Sequence, residues 1–284
     1  MRALAANIED VFREAAARWT LVAYFTLSSL FILIFAFAVN LDIVNGALAG
    51  ARIFGRSVEI GHAQVDLDRL VLGFEAGFSA FLYVVGTFLA VFATAHLVPR
   101  LMEKGTVDLY LSRPVGRVSL LLSRYFAGLL LAGANVAYLI GSIWLIVVVK
   151  TKVVHPRFLL GGAIILFGIA ALLAFTFLVG VVTSSTGVSI MATFALFFLG
   201  AILVGHDKIE AALSSDWAAR AINVLYWIVP KTAELGRAVV GLVFGDEGPR
   251  RLREGLTLAP FVSTGLFGLA SLSLASWLFR RKDF

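Results

Sequence analysis

Six stretches of this chain stay apolar for about the length of a bilayer crossing: residues 21–39, 76–98, 125–149, 158–182, 188–204 and 261–279. Roughly 20 such residues laid out as a helix cross the hydrocarbon core. The runs are continuous and do not alternate in polarity. Each segment in lipid must satisfy its own backbone hydrogen bonds, so they read as helices and not as barrel strands. The third and fourth hold no Asp, Glu, Lys, Arg or His, and the fifth is the shortest. Composition agrees: 60% of the 284 residues are hydrophobic and 15% are charged, where soluble domains carry about 25% charge. The fold class expected is an all-α integral membrane protein: six transmembrane helices, with all of 1–284 one domain.

The rest of the chain is arranged around those spans. Residues 1–19 place Leu4, Ile8, Val11, Phe12, Ala15 and Trp19 at helical spacing, with Arg2, Glu9, Asp10, Arg13 and Glu14 between them. This pattern predicts a helix lying in the membrane interface. Its acidic residues, and an apolar run that continues through Val39, argue against a cleaved signal peptide. Residues 40–69 hold Gly46, Gly50, Gly55 and Gly61 among mixed charges and predict a loop with short irregular structure. Residues 205–260 form a longer segment. Ile209, Leu213, Trp217, Val224 and Ile228 there predict an interfacial helix, and apolar 221–230 is half long enough to cross, so a re-entrant piece is open. On the third span Gly133, Ala137 and Gly141 recur every fourth residue, either for close helix approach or as ordinary glycine tolerance in membrane helices.

Six spans put both termini on one side, and Arg280-Arg281-Lys282 marks that side as cytoplasmic by the positive-inside rule. The raw count does not favour this: of 24 Lys and Arg, eleven lie on the termini side and the other thirteen lie opposite. The eleven sit in short segments beside spans, whereas seven of the thirteen fall in 205–260, where the rule is weaker. Lys150, Lys152 and Arg157 remain a local violation. The location expected is the inner cell membrane, multi-pass, with cytoplasmic termini.

Between the second and third spans lies a compact polar plug, Arg100 to Arg117. Gly105 lets the chain turn, Thr106 can cap a following helix, and Pro114 biases Arg113 out of helical conformation. Leu109 and Leu111 can grip a partner or the bilayer, while Glu103, Lys104, Asp108, Arg113 and Arg117 supply charge. By these residues alone the plug is equally a docking surface or a plain interhelical loop.

A span, then Glu103, Gly105, Thr106, Leu109, Leu111, Ser112, Pro114 and Arg117, then another long span, resembles the permease subunit of ABC-2 type transporters. The closing Phe279-Arg280-Arg281-Lys282-Asp283-Phe284 is similar to that family's C-terminus. The long segment before the last span resembles the branch that includes the permease of nitrous-oxide-reductase copper-site maturation. The resemblance implies that the plug is a coupling helix. Glu103, Lys104, Gly105, Thr106, Asp108, Leu109, Leu111, Arg113, Pro114 and Arg117 would meet an ABC ATPase subunit. It further implies a second permease copy, with ATP and Mg held by the partner and no cofactor on this chain. The work would be export of a substrate or action on an extracytoplasmic protein.

Other candidates read more simply. No G-x-x-x-x-G-K-[ST] phosphate loop occurs, so the chain has no ATP site of that kind. Glu75 is expected as an interfacial carboxylate reaching water, Arg124 as a snorkelling cation, and His96 as interfacial. His62, His155 and His206 would share one side, but no two are close in sequence and no metal site is expected. Three methionines and no cysteine make a soft-ligand path for Cu(I) implausible. Basic residues form no stripe that could follow a nucleic acid. The alternatives left open are an ion-coupled secondary transporter or a membrane scaffold. The first is disfavoured because the span centres lack ionisable groups. A membrane enzyme is disfavoured because no catalytic constellation appears.

Overall fold

The computed structural model describes residues 19–44, 47–53, 56–58, 67–102, 116–212, 216–247 and 257–282. Among them are ten α-helices and three strands. In chain order they are α1 (Trp19–Ala38), β1 (Val39–Val44), β2 (Ala47–Ile53), β3 (Arg56–Val58), α2 (Leu67–Thr94), α3 (Leu97–Leu101), α4 (Arg117–Thr151), α5 (Pro156–Thr183), α6 (Thr186–Leu203), α7 (His206–Ala212), α8 (Asp216–Ile228), α9 (Thr232–Phe244) and α10 (Ala259–Arg281). A 3₁₀ turn, Gly245–Glu247, follows α9. The expected interfacial helix at 1–19 lies outside the described residues, save Trp19 at the start of α1.

Five helical segments among the described residues are long and apolar enough to cross a bilayer: Asp68–Leu101, Arg117–Thr151, Pro156–Thr183, Thr186–Leu203 and Ala259–Arg281. The twenty residues of α1 measure about 30 Å at 1.5 Å per residue, enough to match the hydrocarbon thickness. Large apolar side chains face outward on every one of these helices, for example Leu30, Phe92, Leu145, Leu160, Met191 and Leu266. A water-soluble molecule would not leave so much apolar surface uncovered. The all-α membrane bundle predicted from the sequence is therefore what the chain forms.

The 40–69 segment differs from its expectation as a loop. Its strands form an antiparallel meander of order β1-β2-β3, with Val39 opposite Ile53 and Ala51 opposite Val58, and a bulge between Asp42 and Ile43. The strand signal was uneven: Val39-Asn40-Leu41-Asp42-Ile43 alternates, but Ala47-Leu48-Ala49-Gly50-Ala51 has no β-branched side chain and does not alternate.

The centre of the bundle is α5. Phe158, Ile165, Ile169, Leu172, Leu173 and Phe177 on it are all fully enclosed, and α2, α4, α6, α9 and α10 pack around it. Lipid is as apolar as leucine, so these contacts hold by close packing and hydrogen bonds and not by escape from water. Thr176 on α5 meets Thr193 on α6 at 2.9 Å. The Tyr125 hydroxyl of α4 donates to the Ala170 carbonyl at 3.0 Å. Asn135 of α4 donates to the Ser28 hydroxyl of α1 at 2.9 Å, and Ser28 passes its own proton to the Tyr24 carbonyl at 3.0 Å. Of the Gly133-Ala137-Gly141 series, a side chain at Gly133 would touch Leu166 on α5, while nothing approaches Gly141.

Among its described residues, the long segment after α6 holds three helices, not one. Among them, α9 was unforeseen. It packs antiparallel along the first half of α5: side chains added at Gly161 and Gly168 would meet Val243 and Leu235 respectively. Its first residues therefore stand level with Gly168, the thirteenth of the 28 residues of α5. The turn between α8 and α9, Val229-Pro230-Lys231, is buried at that depth. Thus α8 and α9 are joined by a buried turn, and α9 is laid along α5. Pro230 cannot donate a backbone hydrogen bond and stops α8. The Lys231 amide instead donates to Thr264 of α10 at 3.1 Å, and Thr232 Oγ1 donates to the Phe197 carbonyl of α6 at 3.0 Å. Gly200 on α6 admits this turn: a Cβ there would sit 2.5 Å from Thr232 Oγ1 and 2.7 Å from the Pro230 carbonyl.

Candidate functional site

Two places gather polar groups inside or at the ends of this apolar bundle. The first is the frame of the polar plug. Residues 103–115, and with them Glu103, Lys104, Gly105, Thr106, Asp108, Leu109, Leu111, Arg113 and Pro114, lie outside the described residues. The described chain enters the plug from α3 and leaves it at Arg117, the first residue of α4. Helix α3 is short but firmly seated: Leu97, Val98 and Leu101 are buried, the first two in one cluster with Leu121 and Tyr125 of α4, Phe177 and Val181 of α5 and Phe279 of α10.

Polar contacts at this end converge. Arg117 Nη1 donates to the Lys282 carbonyl at 2.8 Å and to the Arg280 carbonyl at 3.5 Å. Lys282 Nζ donates to the Val181 carbonyl at 2.8 Å and to Ser184 Oγ at 3.0 Å. Val181 is one of the last carbonyls of α5, the kind of orphan acceptor that a cation satisfies well. Ser184, the left-handed cap of α5 at φ 54°, also reaches Met102 Sδ at 3.9 Å. Arg281 lies over the Trp277 ring at 4.1 Å.

Arg124 does not snorkel. Its residue is 4% exposed, because α4 begins two turns earlier and this face of it, with Leu120, Leu121, Ala127 and Gly128, is enclosed by neighbouring helices. His96 stands at the turn joining α2 to α3 and is half-buried.

The second place is the opposite half of the bundle. Glu75 is not at a water-facing edge but fully buried, since α2 starts two turns before it and packs beneath the entry to α5. Its Oε2 lies 2.8 Å from His155 Nδ1, and His155 Nε2 faces Asp68 Oδ1 at 3.5 Å. Glu75 Oε1 is buried without a hydrogen-bond partner. Nearby, Arg157 pairs with Asp246 at 3.5 Å, and Lys150 Nζ donates to the Ala36 carbonyl of α1 at 2.6 Å.

At the turn between α8 and α9, Lys231 is 4% exposed with Nζ 3.0 Å from the centroid of Tyr226 and 5.0 Å from that of Trp227. His206 stacks on Tyr226 at 3.8 Å between centroids. The Tyr226 hydroxyl donates to Glu234 at 2.8 Å. Tyr83 of α2 closes the far side by donating to the Thr232 carbonyl at 2.7 Å. His155 and His206 are thus used in separate clusters. The turn between α8 and α9 brings Lys231 beside the last turn of α6, among Gly200, Leu203, Tyr226 and Glu234. A span-by-span reading had no means of seeing that.

These observations define a multi-pass membrane protein, with two helices joined by a buried turn ahead of its last helix and a polar segment framed by α3 and α4. The chain matches the family described as ABC-2 family transporter protein over residues 12–284, and it belongs to that family. It is therefore a membrane permease component of a transporter. No curated protein matches it.

Proposed function

We propose that this chain is the permease half of an ATP-driven exporter, or of a machine that works on an extracytoplasmic partner, and that a separate ABC ATPase drives it. The family match over nearly the whole chain carries this reading. The absence of a phosphate loop from the sequence supports a separate source of ATP and Mg. The segment 103–117 would be the docking surface, with Glu103, Lys104, Asp108, Arg113 and Arg117 giving charge complementarity and Leu109 and Leu111 apolar grip. Docking transmits work only if the contacts differ between the nucleotide states of the ATPase. Two copies of the chain would face two ATPases, in the inner membrane with both termini cytoplasmic.

The test is co-purification with a candidate ABC ATPase from the same cell, followed by its turnover in proteoliposomes. Deleting 106–113 should abolish association. Charge reversal by Glu103→Lys or Arg113→Glu should leave the spans folded but break the dependence of ATPase turnover on the permease. An association that survives the deletion unchanged would sink the docking assignment and favour a scaffold.

A further inference from the structure

The two ends of the polar segment are not independent. Met102, where α3 ends, touches Ser184, and Arg117, where α4 begins, is held by the carbonyls of Arg280 and Lys282. Lys282 joins these two contacts, because its Nζ donates both to Ser184 and to Val181. Met102 and Arg117, the residues on either side of segment 103–115, therefore stand on one knot, built from the end of α5 and the end of α10.

We propose that Lys282 is a positioning residue that fastens Met102 and Arg117, on either side of segment 103–115, to α5, so that force on that segment passes into α5 and α10 together. The proposal rests on the docking reading above. Its chemistry is specific. A long cationic side chain reaches an orphan carbonyl at the end of a helix and a neighbouring hydroxyl at once, while its own backbone carbonyl accepts from Arg117. An arginine can reproduce the donors; a methionine of similar length cannot. The receiving helix is the one on which the bundle is built. Phe279, one turn before Lys282, is fully enclosed against the same cluster as Phe177 and Val181, so α10 and the end of α5 already move as one packed unit.

Two measurements test this, and the second gains from the lack of native cysteine. In the first, amide hydrogen exchange is followed on the purified permease. Lys282→Met should speed exchange at 97–102, 117–121 and 181–185 by about tenfold, as loss of a charge-assisted hydrogen bond implies. It should leave 235–243 unchanged, and Lys282→Arg should restore the wild-type rates. Unaltered exchange in Lys282→Met would overturn the fastening. In the second, a spin label at Val182→Cys is read in proteoliposomes containing the ATPase, with and without ATP and vanadate. The nucleotide-dependent spectral change should diminish in Lys282→Met, which loses both Nζ bonds, and return in Lys282→Arg. A full change in Lys282→Met would overturn the transmission. No change even with the wild-type Lys282 would instead strike the docking reading, and the transmission would fall with it. Arg117→Gln gives a second variant, expected to loosen 117–121 while sparing 181–185.

Discussion

The charged residues that confuse a count of positive charge are residues with local work to do. Lys150 closes a carbonyl of α1, and Arg157 pairs with Asp246, so their position answers to packing as much as to topology. Glu75 is the sharpest case at this scale. A buried carboxylate tolerates its surroundings only when paired, and breaking such a pair by removing one partner costs about 3–5 kcal/mol in soluble proteins. Glu75→Gln and His155→Gln should each destabilise the permease, and the double variant should cost less than their sum, with a coupling of about 1–3 kcal/mol. Unfolding in denaturing detergent checks this, and additive losses would show that the pair does not act as one. Asn135→Leu should cost less, about 0.6–1.7 kcal/mol as for other hydrogen bonds between membrane helices, read by the same unfolding.

Among the elements, what sequence reading recovered and what it missed divide by length. The spans were legible because each is a long run of one character: the predicted 125–149 and 158–182 fall inside α4 and α5. Helix α9 was not, although Leu235, Ala238, Val239 and Val243 recur at helical spacing and are all buried. Thirteen residues measure about 20 Å, too short for a crossing, and Lys231, Glu234 and Arg237 dilute the run. The half-length run at 221–230 marks the end of α8 and the buried turn that follows it. That turn depends on fit. Gly200→Val should drive it away from α6, because a side chain there collides with Thr232 and Pro230. Exchange at 229–236 should accelerate while α4 and α5 stay protected. Tyr83→Phe removes only the bond to the Thr232 carbonyl and should produce a smaller rise at the same residues.

For the whole molecule, orientation is the property the fold leaves to experiment with the clearest handle. Leu258 before α10 and Thr183 at the end of α5 are both exposed and lie at opposite ends of the bundle. In intact cells an impermeant maleimide should label Leu258→Cys directly, and Thr183→Cys only after permeabilisation; the reverse pattern would invert the assignment. The central place of α5 bears finally on biosynthesis. At about 5–20 residues per second, roughly a hundred residues must follow α5 before α10 is made and can cover it. In water that delay would leave a sticky surface, but lipid solvates Ile165 and Leu172 as well as protein does. The late arrivals with real need of a partner are polar: Lys231 and Thr232 must find Tyr226 and the Phe197 carbonyl. Quality control of this chain at the membrane would therefore act on the buried turn, whose Lys231 amide waits for Thr264 of α10.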